Sequence, residues 1–111
     1  MTVFQKIIDG MVPCDKVFEN DRILAFKDIA PAAPVHILII PKKAYESLQT
    51  IPKEELGVVI EIMDAAQEIA KKFHLEAGYR LITNVGPDSG QIVKHLHFHL
   101  LGGKKLGALC G

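Results

Sequence analysis

His95-Leu96-His97-Phe98-His99-Leu100-Leu101 alternates imidazole and apolar side chains. In an extended strand, successive side chains point to opposite faces. The segment therefore predicts a strand with His95, His97 and His99 on one face and Leu96, Phe98 and Leu100 on the other. The apolar face belongs in a core. The other face needs polar partners, because burying an unpaired imidazole costs free energy. Core packing gives no reason for three adjacent imidazoles, so the row reads as a site. A fourth histidine, His36, opens the apolar run Ile37-Leu38-Ile39-Ile40, which Pro41 stops. Such a run predicts a strand buried on both faces.

The rest of the chain punctuates around these two segments. Thr2 is placed to cap a short helix carrying Val3, Phe4, Ile7 and Ile8, with Gly10 ending it. Lys16–Glu19 and Arg22–Lys27 read as short strands joined at Asn20-Asp21, a turn pair. A two-proline loop, 28–34, leads to His36. Ala44–Gln49 reads as one or two helical turns. A long helix is predicted from about Lys53 to His74, with Thr50 or Ile51 near its cap and Pro52 at an early position. Tyr79–Asn84 reads as a strand, Val85–Gly90 as a loop, and Gln91–Leu101 as the histidine strand. Short connections favour hairpins, so the expected class is α+β with a mainly antiparallel sheet. On the long helix, Leu56, Val59, Met63, Ala66, Ala70 and Phe73 share a face that Val58, Ile62, Ala65 and Ile69 widen. The apolar arc spans roughly 220°, about twice the stripe of an ordinary surface helix. The surplus predicts a second copy of the chain as partner.

At 111 residues the chain predicts one domain over 1–111, large enough for its own core. Lys+Arg and Asp+Glu both number 13. That balance gives no general attraction to nucleic acid or to a membrane surface, while leaving room for a single phosphate pocket. Cys14 and Cys110 stand far apart, in neither a disulfide-framework nor a zinc-knuckle spacing. Two free thiols suit a reducing compartment. The N-terminal segment lacks the apolar core of a signal peptide. No run approaches the ~18 apolar residues that cross a bilayer. A cytoplasmic protein is the expectation.

Two chemistries fit the histidine row. In the first, imidazoles hold a metal such as zinc. The Cα atoms of His95 and His99 lie roughly 13 Å apart along an extended strand, so all three converge on one ion only if the strand bends. Residues 84–103 hold one carboxylate, Asp88, though His36 could add a ligand. In the second, a neutral imidazole nitrogen attacks phosphorus and expels a leaving group, and water then clears the phospho-histidine. That route needs an acceptor to hold the nucleophile's other nitrogen, donors for the phosphoryl oxygens, and an acid near the leaving group. It requires no cofactor.

The run His95–Leu101 also resembles the His-φ-His-φ-His-φ-φ signature of the histidine-triad superfamily. The likeness extends through Phe26-Lys27-Asp28-Ile29 to His36, through Ile39-Ile40-Pro41-Lys42-Lys43, and through Gly78-Tyr79-Arg80, Asn84-Val85-Gly86, Gly90-Gln91 and Leu101-Gly102-Gly103. These segments are similar to the Hint branch. The resemblance implies an α+β fold with a five-stranded, mainly antiparallel sheet, one long helix and one or two short ones. It further implies a homodimer in which two sheets join into ten strands.

By that resemblance the protein is a purine nucleoside phosphoramidase or nucleotidyl hydrolase working on AMP linked to an amine, of the AMP-lysine type. His97 takes up the nucleotidyl group, the main-chain carbonyl of His95 holds its other nitrogen, His99 contacts phosphate and leaving group, and His36 supports the triad. Asp28 accepts the ribose hydroxyls. Ile29 and Phe26 meet the sugar and base, Phe4 and Ile7 wall the base pocket, and Asn84, Gly90, Gln91 and Ile92 surround the phosphate. Two other activities stay open: hydrolysis of dinucleoside polyphosphates, as in the related Fhit branch, and regulatory nucleotide binding with weak catalysis. Three positions depart from the branch. Ile92 stands where a serine is frequent, Ala44 where a histidine is, and Lys94 where an aromatic residue is. The tail after Gly103 is short and lacks tryptophan.

Overall fold

A computed structural model describes residues 1–108. Cys110 therefore lies outside the described residues. The chain folds as α1 (Val3–Ile8), β1 (Lys16–Glu19), β2 (Ile23–Lys27), β3 (Val35–Pro41), α2 (Gly57–Lys72), β4 (Tyr79–Ile82) and β5 (Phe98–Gly102). The five strands form one sheet in the order β1-β2-β3-β5-β4. Every neighbouring pair is antiparallel.

Local chemistry explains most boundaries. The Thr2 hydroxyl accepts from the Gln5 N–H at 3.1 Å and caps α1. Gly10, at φ +78°, turns the chain out of the helix; its N–H reaches Ile7 O, and Met11 N–H reaches Lys6 O. The Asn20 side chain accepts from the N–H groups of Arg22 and Ile23, closing the β1–β2 turn.

The sheet is covered on both faces. On one side, Ile23, Ala25, Ile37, Ile39, Phe98 and Leu100 pack with Val58, Ile62, Ala65 and Ile69 of α2. On the other, Leu24, Phe26, Leu38 and Ile40 pack with Phe4 of α1. The continuous apolar run of β3 thus serves two cores, as its lack of alternation required.

Three expectations need correction. The long helix starts later than Lys53. Lys53–Glu55 form a separate 3₁₀ turn, and α2 begins at Gly57 with no side-chain cap on Leu56. Glu55 is engaged by Tyr45 Oη at 2.7 Å and by Lys43, which holds that turn away from the helix. Ser47, with Thr50, caps an earlier 3₁₀ turn, Leu48–Thr50, so neither Thr50 nor Ile51 caps the helix. The C-terminus comes at Lys72. His74, at φ 56°, takes the left-handed position expected of a glycine. Its N–H donates to Lys71 O and that of Leu75 to Ala70 O.

The third correction concerns the histidine segment. β5 covers only Phe98–Gly102, and β4 ends at Ile82 rather than Asn84. Residues before Phe98 leave the ladder because other groups claim their backbone. Leu96 N–H donates to Tyr45 O at 2.7 Å, and Thr83 Oγ donates to His97 O at 2.8 Å. Alternation survives: Leu96 joins the α2-side core, while the rings of His95 and His97 meet Phe4 on the α1 side. The domain's own core takes most of the apolar arc read on α2, and only the edge at Leu56 is left exposed, with Ile60 beside it. Val58, Ile62, Ala65, Ala66, Ile69 and Ala70 are buried, Val59, Met63 and Phe73 half-buried, and Leu56 and Ile60 exposed.

Candidate active site

The four histidines form a connected set, and their hydrogen bonds settle which nitrogen carries each proton. The His95 ring, 1 % exposed, lies within 2.8 Å of Pro41 O through Nε2. A carbonyl only accepts, so His95 Nε2 carries hydrogen. His97 Nδ1 lies 2.7 Å from His95 O, so Nδ1 donates and Nε2 keeps a free lone pair. The Phe4 ring stands edge-on to His97, with centroids 5.0 Å apart, and restricts its rotation.

His36 has the opposite tautomer logic. Its Nδ1 accepts the N–H of Ala32 at 3.0 Å, so the proton of the neutral ring sits on Nε2. Nε2 lies 2.9 Å from His99 Nδ1 and 3.4 Å from Asp28 Oδ2. His36 therefore donates to His99 Nδ1, which places the hydrogen of neutral His99 on Nε2. The result is a lone pair on His97 and an N–H on His99, in rings whose centroids are 5.1 Å apart.

Burial lowers the proton affinity of His36, His95 and His99. For His99 the neighbouring His97 and His36 rings add to burial, Asp28 opposes them, and the pKa falls to about 4.

Asp28, His36 and His99 also offer three donor atoms within 4.8 Å of one another. They do not suit a metal. Coordination through His36 Nε2 would demand lone pairs from both ring nitrogens, since Ala32 N–H already occupies Nδ1. A neutral imidazole has only one.

A cavity of about 470 Å³ opens over His97 and His99. Its apolar wall comes from Phe4, Ile7, Phe26 and Leu38, and its rim includes Asp28, Ile29, Asn84, Gly90 and Ile92. Ten of the sequence-identified positions thus meet in one hollow. The other three do not line it. His95 and His36 act on His97 and His99 from outside the cavity wall. Gln91 braces the loop: its Oε1 accepts from Gly86 N–H, and its Nε2 donates to Glu46 O and Val93 O. Asp28 is turned partly toward its own loop, one carboxylate oxygen accepting from Ala30 N–H at 2.9 Å. Val12, Pro13, Cys14 and Val93 also line the cavity, and Thr83 fixes the His97 backbone. No sequence signal marked these, because their roles arise from chain crossings. A second cavity, about 680 Å³, lies beside Arg22, Tyr45 and Glu55; there Arg22 pairs with Glu61, and Lys43 with Glu55.

Residues 9–106 match the family model of the HIT domain. A HIT-like protein of Chlamydia pneumoniae is 51% identical over 109 residues, covering 98% of this chain and 99% of the relative. Among solved structures, a HIT family hydrolase from Legionella pneumophila superposes with a TM-score of 0.96 at 41% identity, covering all of both chains. A histidine triad nucleotide-binding protein from Candida albicans gives 0.87 at 33% identity, covering 97% of this chain and 81% of the other. The chain belongs to the HIT family, and its five-stranded antiparallel sheet with flanking helices is the α+β HIT fold. Among the described residues, no helix is long and apolar enough to cross a membrane.

Proposed function

We propose that the protein hydrolyses purine nucleoside 5′-phosphoramidates, AMP joined to an amine, through a nucleotidyl intermediate on His97. The observation that carries this reading is the paired tautomers: a lone pair on His97 Nε2 beside an N–H on His99 Nε2. The hydrolase and nucleotide-binding names of the Legionella and Candida neighbours support it.

The base and sugar enter the apolar hollow, and the phosphoryl group sits over the two rings. His97 Nε2 attacks phosphorus as the P–N bond breaks; the His99 N–H donates a hydrogen bond to the leaving nitrogen, which takes up a proton from solvent, so His99 stays neutral. Water then attacks phosphorus, the bond to His97 breaks, and the water proton passes to solvent. The released products are AMP and the free amine. The carbonyl of His95 stabilises the positive charge on His97 while it is phosphorylated.

The active form is a homodimer in this reading. Support comes from β4, an open sheet edge, and from exposed Ile60 on α2 and Leu56 at its cap.

The test is intact-mass spectrometry after brief mixing with an adenosine phosphoramidate. An adenylyl adduct that disappears in His97→Asn is the expected result. Turnover no faster than that of His97→Asn would refute the reading. Faster release of AMP from a diadenosine polyphosphate than from the phosphoramidate would favour the Fhit-type activity instead.

A further inference from the structure

Ile29 is 100% exposed and Ile92 89%, more than any other large apolar side chain among the described residues. Both line the same cavity. They come from separate loops, Ile29 after β2 and Ile92 after the Gly86–Gln91 turn. Side chains so exposed gain nothing from the chain's own packing. Their shared position at one cavity is explained if a ligand covers them.

Ile92 lines the cavity together with His97, His99 and Gly90. A hydroxyl at position 92 could donate a hydrogen bond to a departing group, and isoleucine cannot. The charged side chains along this cavity are Lys27 and Asp28. Lys27 lies 3.6 Å from Asp15, and Asp28 is occupied by Ala30 N–H and His36. Among the described residues, a cationic leaving group thus meets no unpaired carboxylate along the wall.

From this we infer that Ile92 forms an apolar lip that selects substrates whose leaving group carries a hydrocarbon body, while Ile29 covers the sugar. The inference rests on the phosphoramidase reading and narrows its substrate class. An alkyl or aromatic amine covers Ile92 as the phosphoryl group reaches His97. A short amine ending in a charge loses that contact and must partly desolvate its charge against the lip.

The experiment compares two AMP phosphoramidates of equal chain length, one made with n-hexylamine and one with 1,5-diaminopentane. The leaving nitrogens are similar in basicity, so chemistry at phosphorus is held nearly constant. The hexyl compound is expected to show about tenfold higher kcat/KM, the scale of covering one to two methylene-sized groups. Ile92→Ser should cut that ratio to about threefold or less, and Ile92→Leu should preserve it. Equal kcat/KM for the two compounds, or a ratio untouched by Ile92→Ser, would overturn the lip while leaving the phosphoramidase reading intact. A change in oligomeric state of Ile92→Ser with no change in the ratio would likewise overturn it, by making the residue part of a subunit contact. Hydrolysis of neither compound would overturn the parent reading, and the lip with it.

Discussion

His36 Nε2 lies 2.9 Å from His99 Nδ1, and the Ala32 N–H on the far side of the His36 ring decides which of the two donates. A backbone amide in the two-proline loop thereby sets the proton position on a ring presented by β5. Replacing His36 with phenylalanine keeps a ring but removes that donor. His99 is then free to carry its hydrogen on Nδ1, which turns Nε2 from donor into acceptor. Turnover of an alkyl phosphoramidate should fall about 10- to 100-fold. A p-nitrophenyl ester of AMP, whose leaving group needs no proton, should lose less than about threefold. Steady-state kinetics on both substrates checks this; equal losses would mean that His36 only shapes the cavity.

Acid should destabilise the fold through these same rings. His99 titrates at about 4 in the folded protein against a reference value of 6.5. As pH falls, the unfolded chain takes up the proton first. Stability from this group is therefore complete above about pH 6.5, is lost between there and about pH 4, and is level below. The loss is on the order of 2 kcal/mol, allowing for partial exposure of the ring. His36 and His95 act in the same direction. Urea midpoints at pH 7.5 and 4.5 measure the loss, and His99→Asn should show a shallower dependence.

His74 offers a stabilising change remote from the site. It sits in the left-handed region at φ 56°, its side chain is 85% exposed, and its imidazole lies 3.7 Å from Glu76. A β-carbon in that conformation costs roughly 1 kcal/mol, which glycine avoids. His74→Gly should raise stability by about 0.5–1 kcal/mol and Tm by about 2–6 °C. Calorimetry decides, and an unchanged or lower Tm would show that the helix end relaxes around histidine without strain.

Ile60 is 73% exposed on α2, on a face the domain leaves uncovered. A second copy packed there would exclude that side chain from water. Ile60→Glu should then shift sedimentation from dimer to monomer at micromolar concentration. A wild-type chain that sediments as a monomer would refute the dimer.

How much of this was legible beforehand differs by element. Period-two alternation assigned Leu96, Phe98 and Leu100 to a core and the imidazoles to a site, because side-chain direction is a local property of an extended backbone. The Thr2 cap, the Asn20 turn and the doubly buried β3 were legible for similar reasons: each depends on residues adjacent in sequence. The start of α2 was misplaced because Glu55 answers to Tyr45 and Lys43, ten and twelve residues away. Its end was misplaced because His74 does a glycine's work. β5 was drawn too long because Tyr45 O and Thr83 Oγ, distant in sequence, claim the backbone of Leu96 and His97.

The sequence by itself determined that His95, His97 and His99 share one face, and by resemblance the family they mark and the place of His36 beside them. It could not distinguish among the three rings of the triad by chemistry, since spacing treats them alike. Tertiary structure made them unequal. Pro41 O holds His95, His95 O leaves a lone pair on His97, and the pair of Ala32 N–H and His36 puts the proton of His99 on Nε2. A tautomer is chosen by the hydrogen-bond partner of the opposite ring nitrogen. For His95 and His99 those partners arrive from elsewhere in the chain, so only the fold could choose.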